Sequence, residues 1–326
     1  MSVVTLGEAM IRLTPPNFAR VEQTTTLQVT VGGSEWNTAT GLARLGLDAK
    51  WVSALPKNSL GLIIANKARE QGVDVSHILW RDSGRVGIYF TEMGASPRAS
   101  SVLYDRAAST ISQVKPGDFN WKEILRGATH FHTTGITLAL SQSCCQATVE
   151  AIEAAKGNGI PISFDLNYRA KLWSPKEARE GYSQVLPMID ILFTTSDDLE
   201  IVFGLAGDHD QVAREIAELF QIKLVVITIR EAPTVLRGTW HSLAYSNGKV
   251  YETAPIELEL IDRIGSGDAF NAGFLYRYLK GGTIEESLAY GDAMSALKHS
   301  ISGDVCWVTL QEVEKFQGGR VTKIQR

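Results

Sequence analysis

The stretch Asp262-Arg-Ile-Gly-Ser-Gly-Asp268, continued by Ala-Phe-Asn-Ala-Gly-Phe274, joins three things that phosphoryl transfer to an alcohol needs. These are bare backbone N–H groups, a helix start and one carboxylate. Residues 256–261 read as an apolar strand, and 269–279 as a helix that stops before Gly281-Gly282. Gly265 and Gly267 permit backbone angles that other residues avoid and let a phosphate approach the main chain. With Ser266 between them, they form an expected anion hole, because a helix N-terminus offers unpaired N–H groups and the positive end of its dipole. Asp268 stands at its mouth, placed to accept the proton of an attacking hydroxyl. The same dipole favours the carboxylate, so a raised pKa is not expected; a loose phosphoryl-transfer transition state asks the base mainly to orient the nucleophile. A plain βα turn whose Asp favours the helix start is the structural alternative.

A second stretch, Gly32-Gly33-Ser34-Glu35-Trp36-Asn37, precedes a helix with apolar residues at Ala39, Leu42 and Ala43, ended by Gly46. Ser34 is a natural N-cap. The glycine pair would also let a sugar pack against backbone, with Asn37 one turn into the helix hydrogen-bonding its hydroxyls. Asn is a poor helix-interior residue, which favours a binding role. Glu8, after Gly7 at the end of the first strand, is a further pocket candidate.

The elements that must carry these residues alternate along the chain. Short apolar runs at 51–55, 129–133, 160–165, 189–193 and 224–229 are separated by helical windows at 141–157, 175–186 and 210–220. This predicts an α/β fold with a mostly parallel sheet covered on both faces, ligands gathering at the carboxyl ends of its strands, where Asp165 and Asp268 would sit. Two stretches break the rhythm, 11–31 and 86–109, rich in Thr, Val, Tyr and Phe without helical period. They read as a small β lid on a single domain spanning 1–326. His130 and His132 share one face of a strand with no third ligand spaced nearby, which predicts core or site-lining residues rather than a metal pair.

Taken together, Gly-Gly-Ser-Glu-Trp-Asn37 and Asp-Arg-Ile-Gly-Ser-Gly-Asp268-Ala-Phe resemble the ribokinase-like (PfkB) superfamily of sugar kinases. Within it, Asp165-Leu-Asn-Tyr-Arg169, Leu172-Trp-Ser-Pro, Gly87-Ile-Tyr-Phe, Tyr104-Asp-Arg106 and Lys298-His-Ser-Ile-Ser-Gly-Asp304 look like 2-keto-3-deoxygluconate kinases. The resemblance implies a Rossmann-like αβα sandwich with a β lid, and transfer of the ATP γ-phosphoryl to the C6 hydroxyl with Mg2+. It implies Gly33, Ser34 and Asn37 around the sugar, Tyr89, Tyr104 and Arg106 reaching in from the lid, and Arg169 at the acid end. Gly265, Ser266 and Gly267 would form the anion hole, with Asp268 as base. An arginine fork suits a carboxylate where a neutral sugar offers only hydroxyls, which makes Arg106 and Arg169 the candidates for acid recognition.

Two departures stand on the nucleotide side. Where such kinases commonly carry Asn-x-x-Glu, this chain has Thr195-Ser-Asp-Asp198; Asp198 would reach a hydrated Mg2+ through water, or it is simply an acidic helix start. Where many relatives carry a Thr-x-Gly turn, Thr228-Ile-Arg230 stands, and Arg230 would face an ATP phosphate or the surface. The alternatives are a kinase for fructose or 2-ketogluconate, or a non-catalytic sugar-acid binder.

The 326 residues carry a net charge of −4, which argues against nucleic acid or an anionic membrane as partner. No apolar run reaches the length of about 20 that spans a bilayer. Three cysteines without CxxC spacing argue against a disulfide framework, and the expected setting is cytoplasmic. A small β flap tends to expose apolar edges, so a homo-oligomer is expected.

Overall fold

The computed structural model describes residues 1–319; residues 320–326 of the expected single domain lie outside that description. Its strands are β1 (Ser2–Leu6), β2 (Met10–Thr14), β3 (Gln28–Gly32), β4 (Asp48–Val52), β5 (Ala54–Pro56), β6 (Leu79–Arg81), β7 (Gly87–Glu92) and β8 (Ser101–Asp105). Then follow β9 (His130–Thr134), β10 (Ile162–Asp165), β11 (Ile191–Thr194), β12 (Leu224–Thr234), β13 (Arg237–Ser246), β14 (Lys249–Glu252) and β15 (Ile256–Glu259).

Among the described residues the main sheet runs β14-β13-β12-β11-β10-β9-β1-β4, with β15 also on β13. The six strands from β4 to β12 are parallel, and β13 to β15 are antiparallel. Side chains alternate across the pleat, so each strand feeds two cores. Val4, Phe131, Leu192 and Val225 meet Ala151 and Tyr182 on one face. Val3, Ile191, Phe193 and Val226 meet Trp36, Phe270 and Phe274 on the other. The fold is the expected αβα sandwich.

The strand before the anion-hole motif is not a member of the parallel array: β15 is antiparallel to β13, at the sheet margin. Its residues alternate between exposed and buried, as a strand covered on one side does, whereas the central strands are buried almost throughout. The helix Ser266–Leu279 is therefore anchored by its own apolar side chains, not by a central strand feeding into it.

Both stretches that broke the helical rhythm contribute strands to a separate four-stranded sheet, in the order β3-β2-β7-β8. His130 and His132 are fully buried in the main sheet, sharing the Ser163 hydroxyl at 2.8 Å each. Burial pushes their pKa values down to about 4 and about 3. No helix among the described residues is long and apolar enough to cross a membrane.

Candidate active site

The helix Ser266–Leu279 begins at Gly265, whose φ of 84° is left-handed. A side chain there is excluded twice over, because a Cβ would also come within 2.2 Å of the Asp304 carbonyl oxygen. The first intrahelical bond runs from the Ala269 N–H to Gly265. The amides of Ser266, Gly267 and Asp268 thus belong to the helix's first turn, where α-helical partners run out; that of Ser266 bonds to the Arg263 carbonyl at 3.3 Å. A Cβ built on Gly267 meets nothing within 4 Å. Protein packing does not require glycine there, but a ligand approaching the main chain would.

Asp268 is only 8% exposed. Its Oδ1 accepts from the Ser34 hydroxyl at 2.5 Å and its Oδ2 from Asn37 Nδ2 at 2.7 Å. Two of the roughly four lone-pair directions of the carboxylate are thus taken. Burial raises its pKa against the lowering effect of Asn37 and Ser34, contrary to the expectation from the helix dipole. Desolvation wins because the side chain faces inward between two helices.

Ser34 is likewise not the cap it resembles. Gly33 holds that position, and Ser34 is the first residue of the helix Ser34–Arg44, turned toward Asp268 and accepting from Asn167 Nδ2 at 3.0 Å. Gly33 is needed because a Cβ would lie 2.0 Å from the Glu8 carbonyl oxygen.

From Asp268 a cavity of about 480 Å³ opens over the carboxyl ends of β10, β11 and β12. Gly265, Ser266 and Gly267 line it together with Tyr104, Arg169 and Asp198. Thr195, Thr228 and Arg230 line it as well, with Arg263 beside Arg230. Burial and the like charge of Arg263 lower the Arg230 pKa, so an anion between them would relieve the repulsion. Thr195 caps the helix Ser196–Phe203 by accepting from the Asp198 N–H at 3.1 Å.

Asp165, expected at a ligand-facing strand end, lines the cavity; its Oδ2 accepts from Asn271 Nδ2 at 2.8 Å, tying β10 to the anion-hole helix. Burial pushes the pKa of Asp165 up to about 7 and that of Asp198 up to about 6. Two hard carboxylates facing one cavity suit a hydrated Mg2+.

Gly33, Ser34, Asn37, Tyr89 and Arg106 are not among the residues that line this cavity. Arg106 closes its fork on Glu8 Oε2, with Nε at 2.8 Å. Tyr89 stacks on Tyr104 with centroids 5.8 Å apart and donates to Asp304 Oδ2 at 2.6 Å. Arg169, exposed at the cavity edge, is the expected acid-binding residue whose guanidinium forms no ion pair among the described residues.

Sequence reasoning missed a buried group next to the anion hole. Arg12, 1% exposed, joins Asp262 at 2.6 Å and Asp304 at 2.7 Å. The signal was an arginine inside the apolar strand Met10-Ile-Arg-Leu-Thr14, but no spacing along the chain names its partners.

The family model described as pfkB family carbohydrate kinase matches residues 1–305. The chain is 39% identical to a 2-dehydro-3-deoxygalactonokinase of Haloferax volcanii over 99% of both chains. It is 29% identical to a 5-dehydro-2-deoxygluconokinase of Bacillus subtilis, over 96% of this chain and 95% of that one. The crystal structure of a 2-dehydro-3-deoxygluconokinase from Thermotoga maritima superposes with a TM-score of 0.95 at 38% identity, covering 98% of each chain. With a whole-chain match, the shared sandwich fold and a glycine turn carrying Asp268 at the cavity, the chain belongs to the pfkB family of carbohydrate kinases.

Proposed function

We propose that this kinase phosphorylates a 2-keto-3-deoxy sugar acid, 2-keto-3-deoxygluconate or its C4 epimer, at the C6 hydroxyl with Mg-ATP. The observation that carries the reading is the buried carboxylate of Asp268, held by Ser34 and Asn37 beside the first-turn amides of a helix. The Haloferax and Thermotoga relatives, named for the two epimers at nearly equal identity, support the substrate class.

In this mechanism Asp268 orients the attacking hydroxyl and accepts its proton on a lone pair that Ser34 and Asn37 leave open. A pKa raised by burial makes it the better acceptor. The amides of the 265–268 turn and the helix dipole stabilise charge on the transferring group. Arg230 and Arg263 attract the polyphosphate, and Arg169 recognises the sugar carboxylate from the cavity edge. Asp198 and Asp165 would hold the hydrated Mg2+, which supplies neutralisation of phosphate charge.

The test is ADP release with Mg-ATP against both 2-keto-3-deoxy acids, 2-ketogluconate, fructose and ribose, for wild type and Asp268→Asn. Selective turnover of the 2-keto-3-deoxy acids, lost by about 1,000-fold or more in a folded Asp268→Asn, is expected. Near-normal turnover in that variant overturns the role of Asp268, and preference for a neutral sugar overturns the acid site.

A further inference from the structure

The charges nearest the anion hole that touch neither cavity nor solvent are those of Arg12, Asp262, Lys298 and Asp304, none more than 4% exposed. Arg12 comes from β2 of the small sheet, in register with Tyr89 of β7. Its Nε donates to Thr14 Oγ1 at 2.9 Å, its Nη1 to Asp304 Oδ1 at 2.7 Å and its Nη2 to Asp262 Oδ2 at 2.6 Å. One planar fork thus holds two carboxylates, that of Asp262 at the start of the anion-hole turn and that of Asp304, whose main chain meets Gly265.

The Asp262 carboxylate also holds backbone of that turn, and Asp304 meets it through its main chain. Asp262 Oδ1 accepts from the Ile264 N–H and Oδ2 from the Gly303 N–H, both at 3.0 Å. The Asp262 carbonyl accepts from Lys298 Nζ, also at 3.0 Å. Asp304 presses its carbonyl against Gly265, and its Oδ2 accepts from the Tyr89 hydroxyl at 2.6 Å. The two acids and two cations balance, so the charges can stay in the interior.

We propose that Arg12 is a positioning residue for phosphoryl transfer, fixing the 262–268 turn to the small sheet through Asp262 and Asp304. It touches neither substrate. Its fork sets where the turn's amides stand, and Tyr89 extends the same network toward the residues that face the sugar. The position of the small sheet and the shape of the anion hole are therefore coupled. The proposal rests on the reading that this turn receives the transferring phosphoryl group.

Arg12→Lys tests it with the charge kept, since an ammonium cannot span two carboxylates as a planar fork does. Amides displaced by about 1 Å cost about 100-fold in rate. The expected result is a kcat lowered about 100-fold, with KM for ATP and sugar acid within about threefold. Amide exchange in 262–268 should quicken while that of β9 stays unchanged. Asp304→Asn, which removes one of the two charges on the fork, should give the same split and serves if Arg12→Lys does not fold. A folded variant with wild-type kcat and unchanged exchange in the turn, alongside an inactive Asp268→Asn, overturns the positioning role alone. An active Asp268→Asn overturns both the reading of the turn and the proposal built on it.

Discussion

Consider Gly267→Ala beside Gly265→Ala, two identical changes two residues apart. At Gly267 a methyl group meets no atom within 4 Å, and the backbone is ordinary helix. Alanine is worth about 0.5–1 kcal/mol over glycine in a helix, so the variant should be as stable as wild type or slightly more so. With unfolding entropy near 2 cal/mol/K per residue, the gain is about 1 °C in Tm for a chain this long. Activity should move the other way, because the methyl projects where a phosphate would approach the first-turn amides. Loss of such donors costs about 100-fold or more in kcat. At Gly265 the same methyl requires a left-handed residue, costing about 1–2 kcal/mol, and overlaps the Asp304 carbonyl. A total near 3 kcal/mol lowers Tm by about 4 °C or more. Thermal melts with coupled ADP-release kinetics read both variants. A Gly267→Ala enzyme with wild-type kcat would refute the assignment of this turn to the phosphoryl group. A Gly265→Ala enzyme as stable as wild type would refute the packing argument.

Arg169→Ala should lower kcat/KM for the 2-keto-3-deoxy acids by about 10- to 100-fold while changing that for a neutral ketose little; equal losses on both would remove Arg169 from carboxylate recognition. Asp292, 2% exposed and accepting from Trp240 Nε1 at 2.9 Å, has its pKa pushed up to about 6 by burial. The folded state therefore takes up this proton before the unfolded chain does, and stability contributed here rises as pH falls from 7 toward 4. The gain is up to about 3 kcal/mol, and urea titrations of Asp292→Asn should lack it; an unchanged pH slope would contradict the assignment.

Much of the cavity wall was legible in the sequence because the relevant constraints are local. Gly265 must adopt a left-handed turn, a helix must start at the next residue, and Asp268 then falls within its first turn. The acidic helix start at Asp198 was likewise legible locally, with Thr195 found to be its cap. The failures were of another kind. The sequence of Ser34 matches a cap, but its hydroxyl is needed 234 residues away at Asp268. The dipole argument against a raised Asp268 pKa counted one helix and omitted the second helix that buries the group. The strand before the turn was read from its apolar content, which does not reveal that its neighbour is the antiparallel β13.

By itself the sequence determined the alternating α/β architecture, the glycine turn with its carboxylate, and the separate β segments, since periodicity and glycine backbone freedom act over a few residues. Only the tertiary structure decided that Arg12 meets Asp262 and Asp304, that Arg106 spends its fork on Glu8, and that Asp165 and Asp198 face one cavity. Those contacts join segments up to 292 residues apart, and ion pairing with burial is set by distance in space, which local patterning does not encode.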